Sequence, residues 1–300
     1  MCLFQDQNSI NQFLTVLDGL EITLKREDQL HPLVSGNKFR KLKYNLIEAK
    51  KQGHHTLLTF GGPFSNHLAA TAAAGKIMGF ETIGIVRGEE ARKLNPSLQF
   101  CQDQSMELFP VSRADYRLKN EPEFIASLQK KWGNFYLLPE GGTNTLALEG
   151  CREILTTADK DFEVICCSVG TGGTWAGLVE SALPHQEVIG FTALKNHNLE
   201  NELRKLTTNK NGLLNHDYTF GGYAKVSPEL IDFINIFNKN FKTPLDPVYT
   251  GKLLFGIFDL IKNKRWLWGK KILIIHTGGL QGIEGMNQKL SKKKWPIINI

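Results

Sequence analysis

Three hundred residues, 41% of them apolar, are enough for one large hydrophobic core or two modest ones, and no apolar run approaches the roughly 20 residues a membrane-crossing helix needs. The net charge of +6 is spread along the chain, densest at Lys292–Lys294. It lacks the basic stripe and aromatic platforms of a nucleic-acid binder and suits an anionic small substrate or cofactor instead. The start, Met-Cys-Leu-Phe-Gln-Asp, lacks the basic-then-apolar order of a signal peptide, so a cytoplasmic protein with no membrane partner is expected. Five cysteines, Cys2, Cys101, Cys151, Cys166 and Cys167, show no C-x-x-C spacing; they read as reduced packing residues, with no metal site.

In chain order, residues 21–25 alternate like a short strand and lead into Leu33–Tyr44, where a Ser-Gly-Asn turn precedes Lys38. Gly36 supplies the freedom to turn, Ser35 is the expected helix cap, and Lys38 then lies about one turn in, near the positive end of the macrodipole. That placement lowers a lysine's pKa, which matters where the amine must act as a free nucleophile. Lys41 projects only about 60° from Lys38 on the same helix, so periodicity does not decide between them. The helix carries Phe39, Leu42, Leu46 and Ala49 on one face and should stop at Gly53.

Short apolar runs follow at 56–60, 82–86, 135–138, 164–168, 188–192 and 272–276, most of them leading into glycine-rich turns and helical stretches. Such alternation predicts an α/β protein with mostly parallel sheets. Helices are predicted over Asn66–Met78, Thr174–Leu183 and Pro228–Phe241, the last opened by Ser227. The Asn-rich, charged stretch 195–217 reads as a surface helix with loops, with a mobile lid as the alternative.

Two strand–turn–helix motifs call for more than packing. In Thr59–His67, Ser65 is either a helix cap or, with Asn66 and His67, part of a ligand site at a helix N-terminus beyond a parallel strand. In Val164–Thr174, the loop Gly170, Thr171, Gly172, Gly173, Thr174 is either a tight turn or a phosphate cradle, and it fits neither a Walker loop nor the full dinucleotide spacing. An amine nucleophile together with a non-nucleotide phosphate cradle points to pyridoxal 5'-phosphate.

Six motifs in order, Ser35–Leu42, Ser65–His67, Glu140–Asn144, Gly170–Thr174, Tyr249–Lys252 and His276–Gly279, resemble the fold-type II pyridoxal-phosphate enzymes, and within them the D-cysteine desulfhydrase and 1-aminocyclopropane-1-carboxylate deaminase group. The resemblance covers nearly the whole chain. It implies two three-layer α/β/α domains with the cofactor between them, a larger one from 1–52 and 146–300 and a smaller inserted one from 53–145, and a homodimer. It also implies that Lys38 joins the cofactor's aldehyde, that 170–174 hold its phosphate, and that Asn66 bonds its ring oxygen. Ser65, Asn66 and His67 then hold the substrate, with Tyr223 and Tyr249 facing it.

Thr250 and Thr277 stand where the ring-opening deaminases have Glu and Leu, and a hydroxyl near the pyridine nitrogen makes a weaker electron sink than a carboxylate. The expected activity is therefore β-elimination from a small amino acid, giving a keto acid, ammonia and sulfide or another leaving group. Ring-opening deamination to 2-oxobutyrate and a cofactor-binding protein without lyase activity are the alternatives. Phe64 and Ala69 depart from the family pattern, which has Gln and Arg there, and are expected to alter the substrate side.

Overall fold

The computed structural model describes residues 3–4, 9–195, 198–207 and 209–300. Cys2 and residues 196, 197 and 208 of the 195–217 stretch lie outside them. In chain order the elements begin with β1 (Asn11–Leu17), β2 (Leu20–Lys25), α1 (Asn37–Lys51), β3 (Thr56–Gly61), α2 (Asn66–Met78), β4 (Glu81–Arg87) and α3 (Pro96–Asp103). Next come β5 (Met106–Val111), α4 (Arg113–Arg117), α5 (Pro122–Trp132), β6 (Tyr136–Leu138), α6 (Thr145–Arg152), β7 (Val164–Val169) and α7 (Gly173–Ser181). The chain closes with β8 (Glu187–Thr192), α8 (Leu199–Arg204), β9 (Gly212–Asn215), α9 (Pro228–Phe241), α10 (Thr250–Lys262), β10 (Lys271–Ile275) and α11 (Gly282–Lys292).

Two sheets result. The larger has the order β1-β2-β10-β7-β8-β9, all parallel except the β1–β2 hairpin, and the smaller is the all-parallel β5-β4-β3-β6. Both are covered on both faces, which is why their inner strands are continuous apolar runs. On the large sheet, Ile22, Val164, Ile189 and Ile274 pack under α9, α10 and α11, while Ile165, Cys167, Val188 and Leu273 face α6, α7 and α8. On the small sheet, Leu57, Val86 and Met106 face α1, α2 and α3, and Leu58, Phe60, Ile83 and Ile85 face α4 and α5. The fold is therefore α/β in three layers around each of a mixed and a parallel sheet.

One expected cap is not made. Gly36, not Ser35, takes the N-cap position of α1, at φ 63°, and no side chain caps that end. The backbone turns there because a carbonyl arrives from the far end of the sequence: the Asn37 amide donates to Thr277 O at 3.3 Å. A Cβ on Gly36 would stand 1.9 Å from that oxygen, so no larger residue fits. A buried ion pair fixes the same helix, with Arg40 Nε donating to Glu27 at 2.8 Å. The 195–217 stretch holds a short helix, as expected, and also the edge strand β9. That helix is not only surface, because Leu203 on α8 is buried against Gly172.

Candidate active site

The C-terminal ends of both sheets face one cleft, where a cavity of about 560 Å³ opens between β3, β4, β7 and β10. Ligands of parallel α/β sheets bind at such strand ends. Of the residues expected from sequence, Lys38, Ser65, Asn66, His67, Gly170, Thr171, Gly172, Thr174, Tyr223, Tyr249 and Thr277 line it. Gly173 follows within the same loop as the first residue of α7.

Lys38 reaches the floor of the cavity, its Nζ 3.1 Å from Asn37 Oδ1, while Asn37 Nδ2 donates to Thr174 Oγ1 at 2.9 Å. Burial, then the neighbouring Lys41 ammonium, bring its pKa down to about 7. A large share of the amine is thus unprotonated near neutrality, as a nucleophile for an aldehyde must be. Lys41, which sequence left level with Lys38, points elsewhere: its Nζ donates to Gly141 O at 3.0 Å and Thr143 Oγ1 at 2.9 Å, with Thr171 Oγ1 at 3.4 Å. It thereby ties 140–144 to the 170–174 loop and sets a positive charge beneath it.

That loop fits a phosphate. Gly172 lies at φ 85°, where a Cβ would collide with Leu203 at 1.7 Å, and a Cβ on Gly170 would stand 3.1 Å from the Tyr249 ring. The glycines keep the loop tight and its amides bare at the N-terminus of α7, with Thr171 and Thr174 hydroxyls beside them. A free amine on the floor and an anion cradle with a lysine beneath it match the aldehyde and phosphate of pyridoxal phosphate.

Ser65 is the cap the sequence allowed, and it faces the cavity as well. Its Oγ accepts from the Leu68 amide at 3.3 Å as the cap of α2, and it also lines the cavity. The amides of Asn66 and His67 at this helix start are suited to a carboxylate. The His67 side chain is not. Thr59 Oγ1 gives its proton to Leu138 O at 2.9 Å, so the His67 Nε2 contact at 2.9 Å is a donation from the ring, leaving Nδ1 as a buried lone pair. Burial, then Lys38 and Lys41, hold the imidazole well below its usual pKa, so it is neutral and accepts rather than binds an anion.

The Tyr249 and Tyr223 hydroxyls are hydrogen-bonded to each other, with the rings 6.4 Å apart. Burial raises both phenols, Tyr249 much further, while Arg87 draws Tyr223 back down. Tyr223 is the member of the pair better able to exchange a proton. The segment carrying it is held by Lys252, whose Nζ donates to the carbonyls of Ala193, Thr219 and Gly222 at 3.2, 2.8 and 2.8 Å.

Three expectations change. Thr250 lies behind the wall rather than in it: it is fully buried, and its hydroxyl donates to Asp246 at 2.7 Å. Thr277 does line the cavity, and its hydroxyl lies 3.3 Å from that of Ser168. Phe64 does not crowd this cavity; it lines a smaller neighbouring one, beside Gly285 and under the Lys289 ammonium at 3.8 Å. Ala69 points into the α2–α3 core with Leu98 and Cys101, where an arginine would have no water. Sequence reasoning also missed Arg87, Glu140 and Ser168 as lining residues. Ser168 was signalled by ending a strand just before the glycine loop; nothing local marked Arg87.

Comparison with known proteins agrees with this geometry. Residues 12–278 match the family described as pyridoxal-phosphate dependent enzyme. A candidate 1-aminocyclopropane-1-carboxylate deaminase of Pyrococcus horikoshii is 30% identical over 91% of this chain and 88% of its own. One so named in Thermotoga maritima is 32% identical over 93% and 96%. The crystal structure of a 1-aminocyclopropane-1-carboxylate deaminase homologue superposes with a TM-score of 0.82 at 28% identity, over 97% of this chain and 94% of that one. O-ureido-L-serine synthase, at TM-score 0.70 and 13% identity over 93% and 92%, shares the fold. With a lysine on the cavity floor, a phosphate cradle above Lys41 and these matches over most of its length, the chain belongs to the pyridoxal-phosphate dependent enzymes, in the group of the desulfhydrases and aminocyclopropane-carboxylate deaminases.

Proposed function

We propose that the enzyme is a lyase of the D-cysteine desulfhydrase type, removing a β-substituent from a small amino acid to leave an α-keto acid, ammonia and the leaving group. The observation that carries this reading is the hydroxyl pair Ser168 and Thr277 at the ends of β7 and β10. Among the described residues, the one carboxylate lining the cavity is Glu140, and it is taken up by the Tyr116 hydroxyl at 2.8 Å and by Lys119 at 3.4 Å. A hydroxyl-lined wall suits elimination of a good leaving group better than ring opening, which asks for a stronger electron sink.

Bound there, the cofactor supplies the electron sink that makes an amino acid's α-proton acidic. The amides at the start of α2 hold the α-carboxylate, and the 170–174 loop with Lys41 holds the phosphate. Lys38, a free amine near neutral pH, takes the α-proton, and Tyr223 passes a proton to the departing group. The names of the relatives support a second reading, deamination of 1-aminocyclopropane-1-carboxylate.

A panel of D- and L-amino acids with that compound, scored for keto acid and sulfide, separates the readings. Pyruvate and sulfide from cysteine are expected; 2-oxobutyrate from the cyclopropane alone would replace the first reading with the second, and turnover of nothing would leave a cofactor binder. The resemblance further implies a homodimer, which a light-scattering mass of one chain would remove.

A further inference from the structure

The cavity offers one more cation than the chemistry so far requires. The cofactor's phosphate is matched by the 170–174 loop with Lys41, and the substrate's α-carboxylate by the amides at the start of α2. Lys195, three residues beyond the Thr192–Val169 pairing of β8 with β7, follows the strand next to the one that opens into the 170–174 loop. Arg87 remains.

Arg87 is the last residue of β4 and lines the cavity. Its guanidinium carbon lies 5.6 Å from the centre of the Tyr116 ring, and that face contact leaves the in-plane N–H donors unspent. A Cβ on Gly62 would stand 3.3 Å from Arg87 Nη2, so the bare backbone of the β3–α2 turn runs alongside the group. Across the cavity its charge reaches Tyr223, the phenol assigned above to the leaving group. Glu140, the nearest candidate counter-ion in the lining, is already bonded to Tyr116 and Lys119. Among the described residues no carboxylate is paired with Arg87.

From this juxtaposition we infer that Arg87 selects a substrate with a second acidic group on its side chain, an amino acid whose β-substituent is itself an anion. The inference rests on the lyase reading and narrows it. Arg87 is exposed, so its guanidinium is solvated at no cost; what singles it out is its place on the cavity wall, alongside Gly62 and with its charge reaching Tyr223. A planar fork suits the oxygens of a phosphate or a sulfonate, either of which can leave the β-carbon with the bonding pair, as phosphate or sulfite; aspartate, whose carboxylate cannot leave in this way, is a binding probe only.

The test uses the holoenzyme and the absorbance of its bound cofactor, titrated with D- and L-aspartate against D- and L-alanine, which share the α-amino acid and differ in one side-chain carboxylate. In the wild type, aspartate of one enantiomer binds about tenfold tighter than alanine, the discrimination of one charge-assisted hydrogen bond. Arg87→Gln removes that preference and leaves alanine binding within about twofold of the wild type, while Arg87→Lys keeps part of it.

Equal binding of aspartate and alanine by the wild type would overturn the inference. So would an Arg87→Gln enzyme that weakens both alike, which would assign the guanidinium to the shared α-carboxylate. Retained cofactor absorbance shows that the variant is folded. A holoenzyme whose spectrum responds to no amino acid would sink the lyase reading itself, a different failure from loss of discrimination alone.

Discussion

Replacing Lys41 with methionine keeps the length of the side chain and removes its charge, and should slow the chemistry of a different residue. Lys41 is the second cause, after burial, of the low pKa of Lys38. Side chains three residues apart on a helix stand roughly 6 Å apart, and two like charges at that distance repel by about 3 kcal/mol at an effective dielectric of about 20, an upper bound of about two pKa units. Lys38 should therefore move from about 7 in the wild type up by about one to two units in Lys41→Met.

Because Lys41 also bonds to Thr171 in the 170–174 loop, the assay uses pyridoxal without its phosphate. Covalent capture by the apoprotein is trapped with borohydride and measured by mass as a function of pH. The wild-type rate should rise through a midpoint near 7 and level off; the variant's should rise about one to two units later, with a rate at pH 7 lower by about fivefold to fiftyfold. Superimposable profiles would refute the coupling, and a wild-type midpoint near that of an ordinary lysine would refute the depressed pKa itself.

Other consequences are simpler to measure. Lys38 has its pKa depressed on folding, so between about 7 and the ordinary lysine value the unfolded chain binds the proton and the folded one does not. Apoprotein stability should therefore rise relative to Lys38→Met across that window, and parallel curves in denaturant would contradict it. Arg40→Ala leaves the fully buried Glu27 carboxylate without its cation and should cost about 3–5 kcal/mol, a fall in melting temperature of about 10 °C; a loss below about 1 kcal/mol would mean the pair is not structural. Gly36→Ala forces a Cβ into Thr277 O and should abolish pyridoxal capture, whereas Gly53→Ala, at φ 74° with nothing within 4 Å, should cost only about 1–3 kcal/mol of backbone strain and keep it. Equal behaviour of the two glycine variants would show that the Thr277 contact is not decisive.

What could be read from sequence follows burial. The predicted strands are, for the most part, inner members of the two sheets, where both faces are apolar and the run is unbroken. β1, β5 and β9 were missed, and all three are edges. β5 carries Glu107 and Pro110, which an inner strand would not tolerate. In the site, the 170–174 loop and the Lys38 turn were legible because glycine turns opening into helices mark themselves in sequence, even though the contacts that exclude a side chain at Gly36 and Gly172 come from the distant Thr277 and Leu203. The division of labour between Lys38 and Lys41 was not, since it depends on Lys41 meeting Gly141, Thr143 and Thr171, a hundred or more residues away. Arg87 was invisible for the same reason: its meaning comes from Gly62, Tyr116 and Tyr223. Phe64 and Ala69 were correctly noticed as unusual but assigned to the wrong place, because neither side chain points into the cleft.

The contact between Gly36 and Thr277 also bears on how the enzyme is made. β10, formed nearly last, inserts between β2 and β7, and the residue just after it shapes the turn that presents Lys38. During synthesis, the chemistry-bearing lysine leaves the ribosome early and waits for some 240 further residues before its seat exists. A chain interrupted before Thr277 would carry Lys38 but lack the carbonyl that shapes its turn, and without the burial that lowers its pKa that lysine would stay protonated at neutral pH, as unreactive toward aldehydes as any surface lysine.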